Sequence, residues 1–219
     1  MPQQQLVTLE NSPHSVLCPF YVAASINNNL ILCFALSEHR GSEKRYICCV
    51  RRTPLNLGAR PLRPLLLEIT GQIAVNNCFL TAHGHKDPER PDDDSEPTAS
   101  CWLEARPDTI SRTYWRSVLP TVHSIMEHIP GEVDISGFVS VAADGTVRLQ
   151  VIWEASEDET IETALPMFNE NENRCVPRSI SEVPFGVCMR AIFTVEYHYD
   201  SNSLGPSKLF ASLVRIERV

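Results

Sequence analysis

The stretch from Val133 to Val151 constrains the fold of this chain most strongly, because its apolar residues recur at every second position. The alternation runs to Val141, stops at Asp144-Gly145 and resumes at Val147. A period of two places successive side chains on opposite faces of a β-strand, and Asp-Gly is a preferred dipeptide of tight hairpin turns. The sequence therefore predicts a β-hairpin here, with one face buried and the other exposed to solvent.

One segment, residues 111–129, has the period of an α-helix instead. Its apolar residues are Trp115, Val118, Leu119, Val122, Ile125, Met126 and Ile129. These positions share one face of a helix, which is typical of a helix packed on a core. Pro120 lacks a backbone N–H and predicts a kink inside the helix, while Pro130-Gly131 predicts its end.

The remaining apolar runs are short and are separated by turn-forming residues, which indicates further strands. We expect a mostly β fold of about eight to ten strands, arranged as a barrel or a β-sandwich with one kinked helix. Residues 84–98 contain three prolines and three consecutive aspartates, a composition that predicts an exposed, mobile acidic loop. This loop separates an N-terminal β unit, residues 1–83, from residues 99–219, which hold the helix and the C-terminal strands. The two units can also form one continuous domain.

Charge is distributed unevenly along the chain. The formal net charge is −8, so the molecule as a whole repels nucleic acid and anionic membranes. Residues 40–63, in contrast, carry a net charge of +6, nearly all of it from arginine. Guanidinium groups bind phosphates and carboxylates and stack on flat rings. The basic segment is therefore either a solvated face or an anion-binding patch.

Known motifs of catalysis and cofactor binding are absent from the sequence. It contains no G-x-S-x-G, Walker A or G-x-G-x-x-G motif. His83, His85 and Cys101 could contribute to a zinc site, but histidines at the edges of loops are more often solvated. We therefore predict no catalytic residues, no metal ligands and no cofactor.

The eight cysteines form no C-x-x-C pair, and most of them lie in apolar runs. Free cysteine behaves as a small buried hydrophobe. The first residues, Met-Pro-Gln-Gln-Gln, lack the basic and apolar regions of a signal peptide. We expect reduced, structural thiols in a cytoplasmic or nuclear protein that has no membrane partner, since no apolar run approaches the roughly 18–20 residues that a bilayer requires.

Two strand segments resemble those of oligonucleotide-binding (OB) fold proteins. Residues 135–141 (Ile-Ser-Gly-Phe-Val-Ser-Val), followed by Asp144-Gly145, resemble the first hairpin of that fold, and residues 69–75 contain a similar strand centred on glycine. The glycines, Gly71 and Gly137, are 66 positions apart, which predicts tandem related barrels. The Gly-Phe-Val motif is also similar to strands of uncharacterised fungal proteins. The resemblance implies an OB-like barrel or barrels and assigns no binding or catalytic residue.

Three classes of function follow from these features. The first is a non-enzymatic module that binds single-stranded nucleic acid, with arginines on phosphates and aromatic rings stacked on bases. The predicted contacts are Arg45, Arg51, Arg52, Arg60, Arg63, Tyr21, Tyr46 and Trp102. The second is a protein–protein interaction or assembly module, in which the basic segment docks on an acidic surface of a partner or of another copy. The third is an enzyme without a recognisable motif. We predict the first.

Overall fold

The computed structural model describes residues 16–19, 30–40, 42–52, 63–85, 98–155, 159–202 and 205–219. In these ranges the chain forms eleven β-strands and three α-helices, numbered here in chain order. The strands are β1 (Val16–Pro19), β2 (Leu30–Arg40), β3 (Glu43–Arg52), β4 (Arg63–Ile73), β5 (Thr98–Glu104), β6 (Val133–Asp134), β7 (Val139–Val141), β8 (Val147–Glu154), β9 (Met167–Phe168), β10 (Met189–Asp200) and β11 (Ser207–Arg218). The helices are α1 (Thr109–Trp115), α2 (Val118–Met126) and α3 (Ile161–Ala164). The predicted mostly β fold is confirmed.

Five of the strands close into a ring. β4 pairs with β5, β5 with β8, β8 with β11, β11 with β10, and β10 pairs back with β4. The β8–β11 pair is parallel and the other four are antiparallel. The β4–β5 and β8–β11 contacts each span two residue pairs, so the barrel is only partly closed. A partly open five-stranded barrel is the architecture of the OB class, and the ring favours the barrel over the sandwich.

The N-terminal strands extend the same sheet. β3 pairs with the second half of β10, β2 forms a hairpin with β3, and β1 lies parallel to β4. Strands before and after residues 84–98 thus belong to one sheet, and β4, from the predicted N-terminal unit, is a strand of the barrel. The described residues form one ring and not the two tandem barrels that the spacing of Gly71 and Gly137 predicts. Most of the predicted acidic loop, residues 86–97, lies outside the described residues.

The predicted hairpin is confirmed as β7–β8. Val141 is opposite Val147 in the antiparallel register, and Gly145 adopts a φ of 81° in the turn between them. The alternation before it does not form one strand, however. Residues 135–138 form a turn in which the Phe138 N–H donates to the Ile135 carbonyl, and β6, ahead of this turn, pairs with β11. The two-residue period therefore predicted the β7–β8 hairpin. It did not predict that β6, the strand ahead of the turn, would pair with β11.

The kinked helix is also confirmed, as the successive helices α1 and α2 with the break at Arg116 and Ser117. The break lies one turn before Pro120. A proline cannot donate to the carbonyl four residues earlier and its ring clashes with it, which here is the carbonyl of Arg116. Restarting the helix at Val118 puts Pro120 in a first turn, where backbone N–H groups lack helical partners in any case.

Helix α1 is fastened to the barrel at its last residue. The Trp115 side chain is buried, and its indole N–H donates to the Thr70 carbonyl on β4 at 2.9 Å. At the other end of α1, Asp108 Oδ1 accepts a hydrogen bond from the Ser111 N–H at 2.7 Å, which caps the helix. The Trp115 hydrogen bond thus holds the C-terminal end of α1 on β4, and the Asp108 cap stabilises the first turn of the helix.

Gly71 is the position on β4 that lets Trp115 approach so closely. A Cβ atom at Gly71 would lie 2.6 Å from the Glu104 carbonyl oxygen and 2.8 Å from Trp115 Cζ2. We expect Gly71→Ala to lower the free energy of unfolding by about 1–3 kcal/mol, as overpacking does. Urea denaturation measures this. Gly137→Ala is the matched control, because its Cβ would meet no atom closer than 4.0 Å. Equal stabilities of the two variants would contradict the close approach.

One continuous apolar core fills the barrel and extends under α2. Its largest fully buried side chains include Phe138, Phe193, Leu103 and Leu149. The apolar face of α2 joins this core through Val118, Val122 and Ile125, as its sequence period predicts. Among the described residues, no helix has the length and apolar character that crossing a bilayer demands.

Candidate nucleic-acid interface

The predicted basic segment does not form one patch. Arg45 lies near the start of β3, whereas Arg51 and Arg52 are its last residues, about 20 Å away along an extended strand. The backbone of Arg63 is close to that second end, since Val50 is its register partner across β3 and β4. The structure gives the backbone of Arg51, Arg52 and Arg63 but not their side chains. Arg60 and Tyr21 lie outside the described residues.

The side chain of Arg45 is neutralised within its own sheet. It forms ion pairs with Glu154 at 2.5 Å and with Glu196 at 3.5 Å, and its Nε donates to His198 Nε2 at 2.7 Å. The guanidinium also lies over the Phe210 ring, 5.1 Å from the centroid. We name these five residues the Arg45 cluster. With two carboxylates beside it, Arg45 has little charge left to attract a phosphate.

The ionisable groups of the Arg45 cluster respond mainly to their burial. Burial raises the pKa of Glu196 above its ordinary value, although Arg45 and a hydrogen bond from Thr194 at 2.8 Å oppose this. Burial also lowers the pKa of His198, and the positive charge of Arg45 lowers it further. His198 is therefore neutral at pH 7, with Nε2 free to accept the hydrogen bond from Arg45.

Tyr46 points the other way from Arg45, because neighbours on a strand face opposite sides of the sheet. It is buried in the core and stacks on Tyr197, with ring centroids 4.7 Å apart and planes within 9°. This position does not fit the predicted role in base stacking, so we leave Tyr46 out of the interface proposed below. An aromatic residue at this position suggested a platform for base stacking. The position of Tyr46 in β3, however, places its ring in the core.

Trp102 lies on the outer face of β5, since its neighbours Cys101 and Leu103 are both in the core. It is half-buried and faces Gln150 across the β5–β8 register. The backbone of Ala74 runs along its other side and donates to the Trp102 carbonyl at 2.8 Å. Its predicted contact with a base stays a prediction.

The histidine and cysteine residues that suggested zinc do not converge. His85 Nε2 lies 2.7 Å from Ser100 Oγ and its ring stacks on Phe79, while Cys101 points into the core. Within the ranges that the structure describes, no three metal-ligating side chains are grouped. The seven cysteines whose side chains the structure describes are free thiols, and burial raises the pKa of Cys49 to about 12. Such a thiol stays protonated and acts as packing.

A second basic surface, which is absent from the contacts predicted from the sequence, surrounds α1. Arg106, Arg112 and Arg116 are exposed, and no carboxylate oxygen of a described residue lies within 4.0 Å of their guanidinium nitrogens. Tyr114, between them, is 50% exposed. We name these four residues the α1 surface. Residues 105–117 carry a net charge of +2 in a chain of −8.

Two carboxylates that share a groove with Arg112 and Arg116, those of Glu104 and Asp144, are engaged elsewhere. Glu104 accepts from Arg148 Nε at 2.9 Å and from Gln72 Nε2 at 3.1 Å. Asp144 accepts from the backbone N–H of Thr146 at 2.9 Å. The arginines of α1 therefore keep their charge although both acids line the same groove.

Helix α1 separates two grooves. The polar groove, about 520 Å³, is lined by Gln72, Glu104, Arg112, Arg116, Asp144 and Thr146 among others. The apolar groove, about 320 Å³, is lined mainly by Ile69, Ile110, Tyr114, Trp115, Val118 and Cys188. Arg112 and Arg116 thus line one groove, while Ile110 and Tyr114 line the other, together with Arg106.

A signal for the α1 surface is present in the sequence. Arg112 and Arg116 are four residues apart, as are Ile110 and Tyr114, and each pair shares a side of a helix. The apolar period of residues 111–129 indicated only the buried face of the helix, defined by Trp115 and the residues after it. Arg112, Tyr114 and Arg116, three of the residues that define the α1 surface, follow the four-residue spacing on the other, solvent-facing side of the helix.

The fold and surface described so far define an OB-like barrel with a basic, aromatic-bearing helix at one end. No family model matches the chain, and no curated protein matches it. Among solved structures it is similar to gp2.5, a single-stranded DNA binding protein encoded by bacteriophage T7, with a TM-score of 0.40 and 14% identity. The match covers 70% of this chain and 85% of that chain. A likeness at this level assigns neither a site nor a ligand.

Proposed function

We propose that this protein is a non-enzymatic module that binds single-stranded nucleic acid through the α1 surface. One observation carries the proposal: three arginines whose guanidinium groups form no ion pair with a described carboxylate lie in or beside one short helix, α1, which also bears the exposed Tyr114 side chain. Most other arginines with described side chains, including Arg45 and Arg148, are paired with glutamates. The α1 surface therefore offers uncompensated positive charge to an anion.

The chemistry of this surface suits a strand of unpaired nucleotides. Guanidinium groups bind phosphate oxygens in a two-pronged geometry, and exposed aromatic rings stack on bases of any sequence. Both kinds of side chain lie close together in the chain, since Arg112 and Tyr114 belong to α1 and Arg106 and Arg116 flank it. A duplex keeps its bases stacked and offers no free base to Tyr114, so a single strand gains more from this surface.

Fluorescence anisotropy with a labelled mixed-sequence single strand tests the proposal. We expect binding at low salt that weakens as salt rises, with a slope of about −2 in log Kobs against log salt, the value for three phosphate contacts on a single strand. The duplex of the same sequence should bind more weakly. If the single strand does not bind at low salt, the proposal is wrong.

A role in protein assembly is the second candidate, and the edge of the sheet favours it. β2 ends the strand order and, among the described residues, pairs only with β3 along eleven residues. Such an edge offers backbone donors and acceptors to a strand from a partner or another copy. Light scattering, together with the binding assay, distinguishes assembly from nucleic-acid binding. An oligomer without nucleic-acid affinity supports assembly, whereas a monomer that binds single strands supports the first proposal.

A further inference from the structure

We infer that the apolar groove beside α1 is a subsite for one unpaired nucleobase of the bound strand. This inference rests on the proposed function and specifies which part of the nucleotide goes where. The base enters the apolar groove against the Tyr114 ring, and the adjoining phosphates lie on Arg112 and Arg116 in the polar groove.

The two sides of α1 differ in the same way as the base and the phosphate of a nucleotide, because one side is apolar and the other is charged. Ile110 and Tyr114 line the apolar groove, while Arg112 and Arg116 line the polar groove. A nucleotide carries its base and its phosphate on opposite sides of the sugar. A nucleotide placed across α1 therefore puts its base on the apolar side and its phosphate on the basic side.

The floor of the apolar groove is suited to a flat ring. Ile69, Trp115 and Val118 supply apolar surface, and the indole N–H of Trp115 is already satisfied by the Thr70 carbonyl. The volume of about 320 Å³ is near the lower end of the range of about 300–1,000 Å³ for small-ligand sites. This size favours a single base over a larger ligand.

The charged residues that line the apolar groove determine the orientation of the bound nucleotide. Glu68 and Asp108 line the apolar groove together with one arginine, Arg106. These carboxylates disfavour a phosphate in the groove, but they are acceptors for the amino and imino N–H groups of bases. The backbone of the strand is therefore directed to the polar groove.

An abasic strand separates the base subsite from phosphate binding. We expect a thymine oligonucleotide to bind about 5- to 150-fold more tightly than an abasic strand of the same length, the fold-change that corresponds to about 1–3 kcal/mol per stacked base. Tyr114→Ala should remove most of this difference and leave binding of the abasic strand unchanged, and Tyr114→Phe should restore it. Circular dichroism and thermal unfolding of both variants check that the fold is retained.

Cys188 provides a readout in the unaltered protein, because it lines the apolar groove and is partly exposed. Alkylation by iodoacetamide, followed at this residue by peptide mass spectrometry, should be slowed by the thymine strand and not by the abasic strand. The exposed Cys175 is the internal control, and its rate should not change.

The outcomes distinguish the subsite from the proposed function. Equal affinity for both strands, or an unprotected Cys188 while the thymine strand is bound, overturns the base subsite and leaves nucleic-acid binding intact. Failure of both strands to bind overturns the proposed function itself.

Discussion

Reversing two charges on α1, in the variant R112E/R116E, is expected to weaken binding of single strands by about 100-fold or more. Each guanidinium contact with a phosphate contributes about 1.5–3 kcal/mol, and the introduced carboxylates repel the strand in addition. The salt dependence should become shallower by about 1.4 in slope, since two of three phosphate contacts are lost. Anisotropy titrations at several salt concentrations measure both effects.

R174E/R178E is the matched control for that variant. It changes the net charge equally, and the guanidinium groups of Arg174 and Arg178 also form no ion pair with a described carboxylate. Neither residue lines the grooves beside α1. The control should bind single strands nearly as well as the original protein. An equal loss in both variants would mean that overall charge governs binding and would contradict the α1 surface as the interface.

Removing the positive charge of Arg45 is expected to destabilise the fold by about 3–5 kcal/mol at neutral pH, because one partner of a buried ion pair is left behind. Glu196 is 2% exposed and keeps only hydrogen bonds such as that from Thr194. Methionine at this position, R45M, retains an apolar stem beside the Phe210 ring, so the loss reports on charge more than on packing. Urea denaturation gives the free energy of unfolding.

The pH dependence of R45M identifies the group responsible. Burial already raises the pKa of Glu196, and removing Arg45 takes away an interaction that lowers it. The folded carboxyl group then takes up a proton more readily than the unfolded one, so R45M should regain stability, relative to the original protein, as the pH falls from about 7 to about 5.

The double variant R45M/E196Q should recover much of the lost stability at neutral pH. Because the glutamine amide does not titrate, this variant should also lack the part of the pH dependence of R45M that Glu196 causes. A loss below about 1 kcal/mol in R45M, the range of exposed pairs, would show that the Arg45 cluster behaves as a surface ion pair.

Features that depend on near neighbours in the chain were predictable. The Asp144-Gly145 turn and the break that Pro120 imposes both follow from the backbone preferences of a few consecutive residues. The period of the apolar residues likewise predicted the buried face of α2 and the mostly β fold. These conclusions hold whichever partner each strand finds.

The location of the proposed binding surface was not predictable in this way. Arg45 and Arg112 are both arginines in polar surroundings of the sequence, but Arg45 meets Glu154 and Glu196, which are more than one hundred residues away. Arg112 meets no carboxylate in the described part of the chain. A count of charges along the chain favoured residues 40–63, because it does not include partners that only folding brings together.

By itself, the sequence determined the mostly β class, the turn at Asp144-Gly145, the break before Pro120 and the apolar face of α2, since these depend on backbone geometry and side-chain period. The tertiary structure alone decided that β4, β5, β8, β11 and β10 close into a ring, that Tyr46 enters the core, and that Arg45 is neutralised. Strand pairing and charge compensation join residues far apart in the chain, and their energies depend on distances that no local pattern records.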